Sequence, residues 1–149
     1  MSPLVVAHVS PQVVVYVLTA LAALVVVLTR LRLGKDDGGA GRFQVPRALI
    51  HLHLVFGVLA LLSWLVFLIA ADTTTAGSDT VGIIALACWW IVVLIGLLIL
   101  VRWLPSHGKH AASSTEDSWS AGPGLSVLAH VGMFVGVCVF TWAYLNAKV

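Results

Sequence analysis

Charge is what this sequence has least of. Only 9% of its residues are Asp, Glu, Lys or Arg, against about 25% in an ordinary soluble domain. No Asp, Glu or Lys falls within four long apolar runs, Pro11 to Thr29, Pro46 to Ala71, Val81 to Trp103 and Gly124 to Asn146, and arginine enters only at their ends, as Arg47 and Arg102. Ion pathways and proton relays need ionisable groups along a route through the membrane, and secondary transporters show broken helices in paired halves. Neither pattern is present, which argues against a pump, a channel or a transporter. A Ser-His pairing, an HExxH and a phosphate-binding loop are missing too, so the chain is not expected to be catalytic by itself. Cysteine is limited to Cys88 and Cys138. Both lie within apolar runs and are expected to act as small hydrophobes, with a disulfide between the third and fourth runs left open. No internal repeat divides the chain, and residues 1–149 are expected to form one domain.

What is present is hydrocarbon: 60% of the residues are apolar. Each run is long enough to cross ~30 Å of hydrocarbon at ~1.5 Å per residue. In lipid every backbone N–H and C=O must be satisfied within the segment, and runs of this length do so as helices, not as barrel strands of about ten alternating residues. The expected fold is all-α: a polytopic membrane protein whose four transmembrane helices, about 11–29, 46–71, 81–103 and 124–146, form an up-down-up-down bundle. Ser10-Pro11 reads as a cap followed by a proline in the first turn, and Pro46 and Pro123 as the same device. The third helix is expected to start from Ser78 or Thr80 and to stop before Pro105.

Basic residues are sorted by side. Arg30, Arg32, Lys35, Arg42 and Arg47 fall between helices one and two, and Arg102 and Lys109 between three and four; only Lys148, of 8 in all, lies elsewhere. The connection between helices two and three holds Asp72 and Asp79 and no basic residue. The positive-inside rule then places a cell-membrane protein with both termini outside and loops 30–46 and 104–123 in the cytoplasm. Met1 to Gln12 carries no Lys or Arg, so the first run is expected to be an uncleaved anchor and not a secretory signal. The basic excess reports topology, and no nucleic-acid partner is expected.

Of 6 histidines, three fall within helical runs: His51 and His53 in the second, His130 in the fourth. Ionisable residues inside spans default to a functional reading. His53 stands seven residues beyond Pro46 and His130 seven beyond Pro123, so each is about 10 Å along its helix from the same end. Helices two and four of an up-down-up-down bundle run in the same direction and can face each other across the diagonal. His51 is turned about 200° from His53 and faces elsewhere. His53 shares its face with Gly57, Ala60 and Trp64; His51 aligns with Val55, Val58 and Leu62. His107 and His110, in the second cytoplasmic loop with Trp119, lack zinc-like spacing and read as solvated.

Histidines on separate helices of a bundle resemble the haem-b membrane cytochromes, among them the cytochrome b561 group and the membrane anchors of respiratory dehydrogenases. The resemblance rests on His53 and His130 and implies one haem b at most, near the cytoplasmic face, because a second intramembrane pair is missing. In helix four, Gly132 and Gly136 form a GxxxG with Ala129 and Phe140 on the same stripe, a surface for close helix packing, about 200° away from His130. Tyr16, Trp142 and Tyr144 toward one boundary and Trp103 at the other read as interface anchors.

The leading expectation is a small, non-catalytic accessory or assembly subunit, in contact with lipid and with other integral membrane subunits, packed by Gly57, Ala60, Gly132 and Gly136. The histidines point to the respiratory electron-transport chain as its setting. The alternative is a b-type electron carrier with one haem between His53 and His130.

Overall fold

A chain that cannot hydrogen-bond its backbone to solvent must do so internally, and the computed structural model is helical in every long element. It describes residues 9–33, 46–70, 73–103 and 124–149. Helix α1 spans Pro11–Leu33, α2 Arg47–Ile69, α3 Asp79–Trp103 and α4 Gly124–Leu145, with a single 3-10 turn at Thr75–Gly77. The all-α, four-helix membrane architecture expected from the sequence is therefore present. Within the described residues α2, α3 and α4 contain spans of 22, 23 and 19 residues long and apolar enough to cross a membrane, and α1 contributes the shorter apolar stretch Pro11–Val27.

The helix ends follow local chemistry. Ser10 accepts a bond from the Val13 N–H at its Oγ, 3.3 Å away, and Pro11 opens α1, as the Ser-Pro pair predicts. Pro46 instead stands just outside α2 as its cap and offers no side-chain bond; its carbonyl accepts from Leu49 and Ile50. Helix α3 begins at Asp79, with the Ser78 carbonyl accepting from Val81 and Gly82. Helix α1 runs four residues past the expected Thr29 and takes in Arg30 and Arg32.

The helices are arranged as a ring. α2 lies against α3 most extensively, α3 against α4, α4 against α1 and α1 against α2, while α2 and α4 make no backbone approach among the described residues. α2 and α4 are thus diagonal, and everything that joins them is side chain. At one end the Tyr16 hydroxyl donates to the Leu68 carbonyl at 3.2 Å and the Tyr144 hydroxyl to the Asp79 carbonyl at 2.9 Å. This end therefore gathers the start of α1, the finish of α2, the start of α3 and the finish of α4.

Lipid tails are as apolar as leucine, so burial of hydrocarbon does not drive these helices together; packing and interhelical hydrogen bonds must. The exterior is accordingly as greasy as the interior, with Leu62 and Leu94 largely exposed. The centre is aromatic. Trp64 is fully buried, its ring 5.1 Å from Phe140 and 5.5 Å from Phe67, and Trp89 packs on the other side of Phe140 at 5.8 Å. Two threonines tie this layer to the outer helices in the same way. Thr19 Oγ1 donates to the Val15 carbonyl and accepts the Trp64 indole N–H at 3.2 Å. Thr141 Oγ1 donates to the Val137 carbonyl and accepts the Trp90 indole N–H at 3.1 Å.

The two ties differ in burial: the first is enclosed, the second partly exposed. Thr19→Val keeps the shape and removes the acceptor of a buried N–H, and it is expected to cost about 1 kcal/mol. Thr141→Val should cost less, because its indole can find another partner. Thermal unfolding of the two variants in the same detergent checks the order, and a larger loss for Thr141→Val contradicts it.

Candidate functional site

The end of the bundle opposite the two tyrosine hydroxyls holds the histidines of the helical runs. His53 projects from the second turn of α2 and His130 from the second turn of α4, and neither is blocked by a backbone contact between those helices. Their rings meet: the centroids are 6.3 Å apart and the planes 26° from parallel. The level placement read from the two prolines thus brings together the two residues it singled out. His51 is exposed on the opposite face of α2 with Val55, Val58 and Leu62, whereas Ala60 and Trp64, on the face of His53, are fully buried.

Helix α3 supplies the floor of the pair, through a residue the sequence reading passed over. Gly96 is buried, and a Cβ placed on it would lie 2.9 Å from His130 Cδ2, 3.1 Å from His53 Cε1 and 3.3 Å from His130 Nε2. Both imidazoles therefore rest on bare backbone. One turn earlier on α3, the Val92 carbonyl faces the His53 ring. His53 Nδ1 is nonetheless buried with no hydrogen-bond partner, a condition that costs about 1–3 kcal/mol in a protein interior. Gly96 was within reach of sequence reasoning: it stands seven residues before Trp103 on the antiparallel helix, the same offset that made His53 and His130 level.

The glycines expected to mediate helix packing behave differently. At Gly57, Gly132 and Gly136 a Cβ would meet nothing within 4 Å. Among the described helical glycines the close approaches are at Gly96 and at Gly82, where a Cβ would stand 2.6 Å from the Tyr144 ring and 3.0 Å from that of Phe67. Gly132 and Gly136, with Ala129 and Met133, instead line a half-open apolar groove of about 350 Å³ between α1 and α4. Leu18, Leu21 and Val25 of α1 form its opposite wall, and side chains of that size keep the α1 backbone away from the glycine stripe. Ala60 does pack in the core. Cys88 is half-buried, Cys138 exposed, and both are free thiols. His8, the basic and acidic loop residues of 34–45, and His107, His110 and Trp119 lie outside the described residues.

Two imidazoles are an incomplete set of ligands for a bare ion. Among the described residues no group of three His, Cys, Asp or Glu comes together, and a structural zinc site needs four protein ligands. Two opposed imidazoles do suffice where a planar chelator already fills the metal's equatorial positions. Rings that share one metal at about 2.0–2.1 Å per nitrogen bring their centroids about 6 Å apart, close to the 6.3 Å observed. The separation fits such a group, but the floor does not: Gly96 approaches both rings so closely that its backbone stands where the rim of a planar chelator between them would lie, and α3 would have to withdraw to admit one.

Fold and site together define a class: a four-helix integral membrane protein with one intramembrane histidine pair on diagonal helices. Likeness to known proteins takes it no further, since no family model, curated protein or solved structure matches the chain.

Proposed function

We propose that this protein is a b-type membrane electron carrier in which His53 and His130 hold one haem. The observation that supports it best is the pairing of the two rings, 6.3 Å apart and nearly parallel, on helices that touch only through side chains. On sequence grounds a packing subunit is the stronger reading; the pairing of the two rings is what supports the carrier. A haem held by His53 and His130 would supply reversible one-electron exchange. The chain's own part is to fix the two imidazoles and to offer the Val92 carbonyl to the ring of His53. Gentle detergent extraction tests the reading directly. The purified protein should carry a Soret band that changes on reduction, and a folded protein without haem overturns it.

The second reading, an accessory subunit of a larger membrane complex, is supported by the groove between α1 and α4. Its open glycine stripe is a surface on which another integral membrane subunit can pack closely. Stable co-purification with such a subunit, lost on Gly132→Leu and unaffected by His53→Ala, would favour it. The respiratory chain is the setting in which the two readings converge.

For orientation the charge asymmetry of the sequence is the support: seven basic residues fall at or between the ends of helices one and two and of helices three and four, and Lys148 alone falls near the C-terminus. Both termini are then outside the cell and the histidine pair lies near the cytoplasmic face. A protease-sensitive tag fused after Val149 should be cleaved in intact cells, and protection of the tag until the membrane is opened reverses the assignment.

A further inference from the structure

We infer that the groove between α1 and α4 is a lipid site: it takes one acyl chain of an anionic phospholipid, inserted tail first from the histidine end of the bundle. The inference is independent of the haem reading. Chemistry inside the groove is set by its walls, because Leu18, Leu21 and Val25 on one side and Ala129, Gly132 and Met133 on the other carry no hydroxyl, amide or charge. A quinone ring or a headgroup finds no side-chain partner there; hydrocarbon needs none.

Size decides between a chain and a helix. From Leu128 to Phe140 the lining extends over twelve residues of α4, about 18 Å of helix, comparable to one leaflet's share of the hydrocarbon core, about 15 Å. A volume of about 350 Å³ spread over that length gives a mean cross-section of about 19 Å², whereas a helix about 10 Å across needs about 80 Å². At roughly 30 Å³ per methylene, the share that a water molecule takes in the liquid, the groove holds about twelve methylenes in single file. A helix of another subunit, or of a second copy, can cover this groove but is too wide to enter it.

The two ends give the direction of insertion. Leu128, in the second turn of α4, is 66% exposed, so the groove opens at the level of the histidines. Phe140 is buried between Trp64 and Trp89 and closes the other end. Charge selects the headgroup. The α1 wall steps seven residues from Leu18 to Val25, and the next such step is Arg32, which the register places at the histidine end of α1; Arg30 is about 200° round the helix from it. A basic residue where an apolar groove meets the headgroup layer favours an anionic lipid over a zwitterionic one.

Native mass spectrometry of the full chain, released from nanodiscs of mixed phosphatidylcholine and phosphatidylglycerol, tests the site. The wild type should retain one phosphatidylglycerol per chain. Gly132→Leu/Gly136→Leu fills the groove from within; a Cβ at either position meets nothing within 4 Å, so the variant should keep its fold while retained lipid falls at least fivefold. Arg32→Gln should lower the preference for phosphatidylglycerol about fivefold, and Arg30→Gln less than twofold. Phosphatidylglycerol with a photoreactive diazirine on its acyl chain locates the occupant: labelling should concentrate on the segments Leu18–Val25 and Gly132–Phe140, at least threefold above exposed Leu62 and Leu94, which report ordinary bilayer contact. Equal retention by wild type and double-leucine variant, or labelling spread evenly over the four helices, means bulk lipid only and overturns the site. A double-leucine variant that keeps its lipid and loses a co-purifying protein gives the groove to a subunit and overturns it as well. Equal effects of Arg32→Gln and Arg30→Gln overturn the headgroup assignment. If the double-leucine variant fails to fold, the labelling pattern of the wild type decides by itself.

Discussion

Replacing either His53 or His130 by alanine is expected to remove the haem spectrum from the purified protein, with haem per chain falling at least tenfold in each variant. The effect is large because the two residues act as a unit. Among the described residues no third His, Cys, Asp or Glu joins the pair, so the loss of one imidazole leaves a single protein bond to the metal. His51→Ala is the matched control: it removes an imidazole two residues away on the same helix, from an exposed position on the opposite face, and should leave the spectrum intact. The stability of the apoprotein gives an independent sign. His53 Nδ1 is buried and unpartnered, so His53→Ala relieves an unsatisfied polar atom while it opens a cavity. The two terms oppose each other, and the unfolding temperature without ligand is expected to move by only a few degrees. A variant that keeps full haem after loss of either histidine would falsify the ligand assignment and leave the accessory reading, with its open groove, as the stronger one.

The helices and the level of the histidines were legible because both follow from one-dimensional quantities. Span length is set by bilayer thickness, and depth is a count of residues from a helix end. The face of α2 was legible for the same reason: His53, Gly57, Ala60 and Trp64 recur at helical spacing, and the structure buries Ala60 and Trp64 while His51 stays outside. What failed to show was anything that depends on which helices are neighbours. The Trp64–Thr19 and Trp90–Thr141 ties join residues 45 and 51 positions apart, and a threonine within an apolar run carries no mark of its partner. Gly96 is one glycine among 13 and forms no GxxxG, whereas Gly132 and Gly136 do. The motif drew attention to the stripe that faces open space, and the lone glycine turned out to be where two side chains rest. Small-residue spacing reports that a helix is able to approach another; whether it does so within the chain depends on the size of what faces it, here Leu18, Leu21 and Val25 across the groove.

Trp64→Ala should be the most destabilising single substitution in the bundle, by about 3 kcal/mol, and should leave the histidine pair in place. In a soluble core the loss of a buried tryptophan combines a transfer term with a cavity term, about 3–5 kcal/mol together. Within a bilayer the transfer term largely vanishes, since lipid solvates the removed surface as well as the core did. The cavity remains. Deleting an indole from a fully enclosed site opens a volume on the order of 130 Å³, which at about 24 cal/mol per Å³ amounts to about 3 kcal/mol. Trp64 also joins α2 to its diagonal partner, by its contact with Phe140, and to α1, by its bond to Thr19, so its neighbours have little freedom to collapse into the space. Trp64→Phe retains most of the volume, loses the bond to Thr19 and should cost about 1–2 kcal/mol. Because Trp64 is eleven residues from His53, about 16 Å along α2, both variants are expected to retain wild-type haem content below their unfolding temperatures. Reversible unfolding in mixed detergent, monitored together by helical signal and by Soret absorbance, separates the two effects. A Trp64→Ala protein as stable as the wild type would move the centre of cohesion away from the aromatic layer and onto the contact of α2 with α3.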